Sequence, residues 1–390
     1  MLPFTTYEFF ILMGIFILLL HFSKFFVPNK FYKQVLFFLN ALFLVLVFPK
    51  PTHFLLLVLF SYIVTFLNLS VFRFNIKLWG ILLLLLPLVL VKSDIRVHYY
   101  PFRLNDIISF AGLSYASFKT VGLYMEKSNN ENMPNLFSYF NFLAFTPSLL
   151  IGPIDRYSNF KKSEELGFRN LVPENFISAW NYLVKGIAFK FILAELVSRY
   201  WLNDSETASF YSLNTLNTMY AYYFYLFFDF AGYSFMALGV GKMMGIHLPL
   251  NFNKPYLAQN PQDFWNRFHI SLGTWLKDNF FSPLYLFFTR KKRLKKMPLF
   301  RQNMSLFLTF ALMGCWNGFS LNFILSGVLF AIYSVVYNTY IYYCKKYNRD
   351  IVFGNMNSSI VKYLSLFIMF HLAAFSLYIF SGYAPFFKNE

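Results

Sequence analysis

Residues Leu321–Tyr343 read LNFILSGVLFAIYSVVYNTYIYY, an apolar run without one acidic or basic side chain. A helix that crosses the hydrocarbon core of a bilayer needs roughly 20 such residues, so this stretch alone predicts a membrane span. Other mostly apolar runs, some with a charged residue, recur near 7–22, 35–48, 51–72, 78–91, 107–125, 136–151, 177–201, 216–236, 304–319 and 361–380. Together they predict an all-α integral membrane protein, a multi-span helical bundle of about eleven transmembrane helices with short re-entrant or interfacial helices. Two runs, 35–48 and 78–91, are short enough to be re-entrant or steeply buried.

Composition points the same way. Of the 390 residues, 57% are apolar and 13% charged, against roughly 25% charged in a soluble domain. No long polar linker divides the runs, so a single membrane domain over 1–390 is expected. The net charge of +17 follows from Lys and Arg gathered in short loops, as on the cytoplasmic side of membrane proteins. No folded soluble face is left over to bind nucleic acid. The loop with Lys24, Lys30 and Lys33 and the loop with Arg73 and Lys77 lack acidic residues. Both are therefore predicted inside and the N-terminus outside. Arg290, Lys291, Lys292, Arg293, Lys295 and Lys296 form the densest basic run; it reads as a cytoplasmic topology signal that would also attract an acidic protein partner. Cys315 and Cys344 are the only cysteines, too few for a disulfide framework or a four-ligand zinc site, and no metal site is expected.

Residues 251–290 break the apolar pattern. They combine Asn, Asp, Arg, His and Lys with large rings, and such a segment survives at membrane depth only inside protein or along a water-filled cavity. Asp263 and Arg267 stand four residues apart. A continuous helix would bring Trp265, His269 and the gap left by Gly273 onto one face; an interfacial helix whose charges reach the headgroups is the alternative. Asp229, inside the apolar run 216–236, needs a partner, and Arg267 or a hydroxyl is expected to supply it.

The segment Asp263–Asp278, DFWNRFHISLGTWLKD, resembles the signature of the bacterial membrane-bound O-acyltransferases, and most closely their D-alanylating branch. Collinear with it are Ile151–Tyr157 (IGPIDRY), Phe228–Ser234 (FDFAGYS), Met244–Pro249 (MGIHLP), Asn251–Pro255 (NFNKP) and Phe380–Gly382 (FSG). A sixteen-residue run with ordered flanking motifs is a specific signal, and its signature region covers 228–319. The resemblance implies helices around a central funnel or tunnel, and transfer of D-alanine to an extracellular hydroxyl for teichoic acid D-alanylation. The donor it implies is a thioester on the phosphopantetheine of an acidic carrier protein, with no bound cofactor of the enzyme's own. A membrane-anchored D-alanyl transfer partner is implied outside. It assigns His269 and position 317 to catalysis, with Asp229, Trp265, Asn266, Arg267, Ser271, Trp275, Asp278 and Trp316 around the tunnel and the basic run 290–296 as the carrier dock.

The chain departs from the family where chemistry is concerned. Family members carry a second histidine in a Trp-His-Gly sequence, whereas Gly314–Phe319 reads GCWNGF, with Asn317 in its place. A carboxamide donates hydrogen bonds but cannot take a hydroxyl proton near neutral pH as imidazole does. Three readings follow: a substituted enzyme, a catalytically inactive scaffold or transporter, or an enzyme in which His269 or His371 serves as the base. An exopolysaccharide O-acetyltransferase is a further alternative.

Overall fold

A computed structural model of the chain describes residues 4–48, 51–71, 77–92, 112–127, 133–202, 213–351, 359–384 and 387. The helices are α1 (Tyr7–Ser23), α2 (Tyr32–Val47), α3 (Pro51–Phe66), α4 (Lys77–Lys92), α5 (Leu113–Lys127), α6 (Leu136–Ala144), α7 (Tyr157–Leu166), α8 (Pro173–Ile187), α9 (Leu213–Met243), α10 (Pro261–Trp265), α11 (Ile270–Leu276), α12 (Ser282–Arg290), α13 (Pro298–Asn317), α14 (Leu321–Lys346) and α15 (Ser359–Ser381). Among the described residues there is no strand, only an isolated antiparallel bridge between Phe252 and Phe268.

Among the described residues, six helical stretches are long and apolar enough to cross a membrane: Asn29–Val47, Pro51–Leu69, Pro173–Leu202, Leu213–Met243, Leu321–Lys346 and Ser359–Ser381. At 1.5 Å per residue the shortest of them reaches about 28 Å, close to a hydrocarbon core of roughly 30 Å. They correspond to six of the eleven runs read from the sequence. The run at 35–48 gains length from a 3₁₀ turn at Asn29–Phe31 ahead of α2. The other runs are helical but shorter or more polar; residues 107–111 and Arg73 lie outside the described residues. The expected span at 136–151 is not one helix. It stops at Ala144, and Pro147 sits in a 3₁₀ turn over Thr146–Ser148.

The chain forms two compact units, one of residues 1–187 and 232–250, the other of 188–231 and 251–390. In the first unit, Phe9, Phe43, Phe54, Tyr139, Phe142 and Phe160 are buried, while Ile11, Leu18, Phe38, Val45, Leu56 and Leu59 point outward. Large apolar side chains on the outer face are what a lipid-facing surface requires. The interior holds polar groups in closed pairs. Asn40 donates to Asn141 Oδ1 (3.3 Å) and its own Oδ1 accepts from Thr146 N (3.3 Å) and Oγ1 (3.1 Å). Buried Lys119 donates to Phe142 O (3.1 Å) and Ser148 Oγ (3.0 Å). These bonds explain why α6 and the turn after it stay buried at membrane depth.

The motif IGPIDRY starts α7: Asp155 Oδ1 accepts from Arg156 N (2.9 Å) and Asn159 Nδ2 (2.8 Å). The segment around α7 lies beside the turn that precedes α2. Lys24 Nζ donates to Leu171 O (2.8 Å), and a side chain at Gly167 would meet Asn29 and Tyr32 at 2.9 Å. The end of α9 joins them, because His21 Nε2 donates to Met243 O (3.0 Å) and Asn170 Nδ2 to Gly245 O (2.8 Å). The charged segment 156–169, of mixed sign and hard to place by loop counting, thus shares one end of this unit with Lys24, Lys30 and Lys33.

In the second unit α13 and α14 approach closely at two glycines. A Cβ on Gly314 would lie 2.7 Å from Phe323 O, and one on Gly327 would lie 2.6 Å from Phe310 O. Small residues at such a crossing let helix backbones touch within a membrane.

Candidate active site

The signature segment is not the continuous helix its spacing suggested. Asn260 caps α10 by accepting from Asp263 N (2.8 Å), Pro261 takes the first helical position, and the helix ends at Trp265. His269 then adopts a left-handed backbone with φ 47° and ψ 49° before α11 begins. That conformation costs a non-glycine residue about 1–2 kcal/mol, so it must be held from outside. Residues 251–253 hold it: Asn253 N donates to Arg267 O (2.9 Å), Ile270 N donates to Asn251 O (3.0 Å), and the bridge between Phe252 and Phe268 lies between them.

Asn251 completes the lock. Its fully buried side chain accepts through Oδ1 from Ser271 N (3.2 Å) and Ser271 Oγ (2.7 Å). An N-cap side chain normally satisfies such an N–H itself. Here Asn251 does so from elsewhere in the sequence, and the N-cap residue, His269, makes no side-chain capping bond among the described residues. Its imidazole is released for other work.

The Nε2 of His269 is buried and without a hydrogen-bond partner among the described residues, although part of the residue's surface remains open. The ring meets Phe230 edge to face, with centroids 4.6 Å apart. Burial pushes the pKa of the ring down to about 3, because enclosure disfavours the charged form; the imidazole is therefore neutral. Trp265 Nε1 is likewise buried and unpartnered among the described residues. Its indole packs on Phe330 of α14 (4.9 Å) and Phe310 of α13 (5.4 Å). A buried unsatisfied polar atom costs about 1–3 kcal/mol, so two of them in one segment single it out as the candidate site.

Arg267 does not reach Asp229, contrary to the expectation from sequence. It pairs with Asp263 (Nε to Oδ1, 2.7 Å), whose Oδ2 accepts from Gln259 N (3.1 Å). The partner of Asp229 is Lys190, in the π-helical stretch Ala188–Ala194 that continues α8. Sequence reasoning missed Lys190, yet a lysine inside the run 177–201 is as costly in a bilayer as an aspartate inside 216–236. Matching opposite charges between those two runs would have put Lys190, beside Lys185, among the candidates. Asp229 directly precedes Phe230, whose ring braces His269, on α9.

The remaining candidates separate. Ser271 is buried and engaged by Asn251. Trp275 and Trp316 are half-buried, and Asn266 and Asp278 are exposed. Asn317 ends α13, is exposed, and donates one Nδ2 hydrogen to Met313 O (3.1 Å). It lies two helical turns, about 10 Å, beyond Phe310, where Trp265 touches the same helix. His371 has both nitrogens engaged: Nδ1 donates to Phe367 O (2.7 Å), which leaves Nε2 to accept from Tyr220 Oη (2.6 Å). It is a histidine bonded to a backbone carbonyl and not a free base.

Arg290, Lys291, Lys292, Arg293, Lys295 and Lys296 are all exposed on the turn between α12 and α13. Arg301, to which the sequence alone gives no role, is buried under that turn and donates to Lys295 O (3.0 Å). No cluster of His, Cys, Asp or Glu able to hold a metal occurs among the described residues.

Comparison with known proteins identifies the family. The chain is 33% identical to the teichoic acid D-alanyltransferase of Bacillus subtilis (strain 168), over 98% of each chain. It is 28% identical to a teichoic acid D-alanyltransferase of Streptococcus thermophilus, over 77% of this chain and 74% of that one. It is also 32% identical to the peptidoglycan O-acetyltransferase of Helicobacter pylori, over 56% of this chain and 40% of that one. Residues 64–380 match the profile of MBOAT, the membrane-bound O-acyltransferase family. With that match, the near full-length relative and a helical fold with six stretches long and apolar enough to cross a membrane, the chain belongs to the membrane-bound O-acyltransferase family and is a multi-pass membrane acyltransferase.

Proposed function

We propose that this enzyme takes D-alanine from the phosphopantetheine thioester of an acidic carrier protein at the cytoplasmic face and passes it to a hydroxyl acceptor outside, for esterification of teichoic acid. The observation that carries the reading is the neutral, unpartnered Nε2 of His269 on its locked turn. The likeness to teichoic acid D-alanyltransferases over nearly the whole chain supports the substrate class. The lysine-rich loops support a cytoplasmic mouth and an outside N-terminus.

In this reading His269 and Asn317 face one hydrated passage. The acceptor oxygen attacks the thioester carbonyl carbon while its proton moves to His269 Nε2. The tetrahedral intermediate collapses, the C–S bond breaks, and the departing thiolate takes the proton from His269; an ester and a free thiol result. General-base help of this kind contributes about 10²–10⁴ in rate. Asn317 has a second amide hydrogen not used by Met313 O, and in the passage it donates to the developing oxyanion. The exposed cations from Arg290 to Lys296 steer the acidic carrier.

The test is the content of base-labile D-alanine ester in envelope polymers of cells that depend on this chain. His269→Ala abolishes it; unchanged ester content rejects the reading. Asn317→His adds a second imidazole and raises turnover; a loss of activity there rejects a passage shared by the two residues. Carrier binding without turnover at any pH would mark the chain as a non-catalytic scaffold.

A further inference from the structure

Arg301 is a buried cation that the acyl-transfer reading leaves unused. It stands in the first turn of α13 and is 8% exposed. Both of its hydrogen bonds leave from Nη1, to Leu294 O (3.4 Å) and Lys295 O (3.0 Å). Nε is buried and has no partner among the described residues, so the edge made by Nε and Nη2 is idle. That edge is one with which a guanidinium grips two oxygens of a carboxylate or phosphate at once. The Tyr285 ring of α12 lies 5.6 Å from the group, a contact that uses no N–H.

The surroundings supply no anion to fill the edge. The sequence has no acidic residue between Asp278 and Asp350. Lys291 rests on the Phe287 ring (4.6 Å), and Lys292, Arg293, Lys295 and Lys296 have no acidic partner among the described residues. A buried donor left unmade is costly, and here it lies under four exposed cations that raise the local potential for an anion.

Position identifies the anion. In the acyl-transfer reading an acidic carrier docks on this turn, and the phosphodiester is the root of the arm, where the arm leaves the carrier's surface. Between Arg301 and Phe310, the ring against which Trp265 of the signature segment packs, α13 rises about 14 Å. A phosphopantetheine of about 13 bonds from phosphorus to sulfur spans roughly 15 Å at the pitch of an extended chain. A phosphate at Arg301 thus brings the sulfur to the level of the signature segment.

We propose that the Nε–Nη2 edge of Arg301 binds the phosphodiester of the donor's phosphopantetheine arm and sets how deep the thioester reaches. The inference rests on the carrier-dependent reading above.

The test compares binding of the carrier with and without its phosphopantetheine arm to the full chain in phosphatidylcholine nanodiscs. The armed carrier binds at least about tenfold more tightly to the wild-type protein, as hydrogen bonds to a charged group imply. Arg301→Lys keeps a charge that can donate to the turn's carbonyls but has no paired edge; it brings the ratio close to one and leaves the armless carrier's affinity unchanged. The double variant Lys292→Gln, Lys296→Gln weakens both forms equally and preserves the ratio. A ratio that survives Arg301→Lys, or a loss of affinity there for both forms alike, overturns the inference and leaves the carrier reading standing. Failure of either form to bind the wild-type protein overturns both. Should Arg301→Lys not fold, the wild-type protein suffices: free 4′-phosphopantetheine displaces the armed carrier at concentrations about tenfold below those of pantetheine, which lacks the phosphate, and equal competition by the two refutes the site.

Discussion

Replacing Asn251 by alanine removes a side chain that is 0% exposed and supplies two polar restraints on the first turn of α11. Ser271 N and Ser271 Oγ then lose their acceptor in a closed environment. Loss of a capping residue costs about 0.5–2 kcal/mol, and an unsatisfied buried donor about 1–3 kcal/mol, so the variant is expected to lose roughly 2–4 kcal/mol. The left-handed backbone of His269 stores about 1–2 kcal/mol of strain, and with the side-chain part of its restraint gone, only the backbone bonds of residues 251–253 oppose its relaxation. A population shift of that size reduces the competent fraction about 5- to 30-fold. D-Alanyl transfer by protein in nanodiscs, measured beside its thermal unfolding, should show both losses. Asn251→Asp keeps the acceptor at the N-terminus of a helix, where negative charge is favoured, and should recover most of the activity. Wild-type turnover in Asn251→Ala, or an aspartate variant no better than the alanine one, would refute the idea that Asn251 holds the histidine in place.

Three further outcomes are expected. Lys190→Met leaves Asp229 without its partner and should destabilise the protein more than the double variant Lys190→Met, Asp229→Leu; unfolding midpoints that simply add would show that the pair does not couple. Burial holds the pKa of His269 at about 3, so the base stays neutral and transfer should be level with respect to this group between roughly pH 5 and pH 8. The unfolded chain takes up that proton near pH 6.5 while the folded chain does not, so stability is present above about pH 6.5 and declines below it; a stability that rises on acidification, or a transfer rate with a midpoint near pH 6.5, contradicts the assignment. Neutralising Lys292, Arg293, Lys295 and Lys296 together should raise the KM for the carrier at low salt and leave kcat unchanged, with the difference fading as salt screens the field; a kcat effect that persists in high salt argues against docking there.

The membrane class and the six long spans were legible because a lipid-spanning helix has one solution in composition and length, and Leu321–Tyr343 satisfies it without any tertiary information. The buried half of the first unit was not. Residues 136–151 have the apolar content of a span, but Pro147 and the partners of Asn40 and Asn141 decide the outcome, and those partners stand about a hundred positions apart. His269 was singled out by the family resemblance, whereas its geometry was hidden. Periodicity expects a helix to continue through residue 269, and only the pairing with residues 251–253 reverses the chain there. Lys190 escaped for a related reason: the ion pair links two helices, and its aspartate had a nearer-looking candidate in Arg267.

Gly314 and Gly327 set how α13 meets α14, at a spacing that leaves no room for a methyl group. Asn317 is less than one turn beyond Gly314. The backbone of that residue is thereby indexed to the neighbouring helix, like a tooth seated in a rack, whatever side chain it bears. Evolution can exchange one residue for another at this position and alter the reactivity on offer while the point of delivery stays where it was.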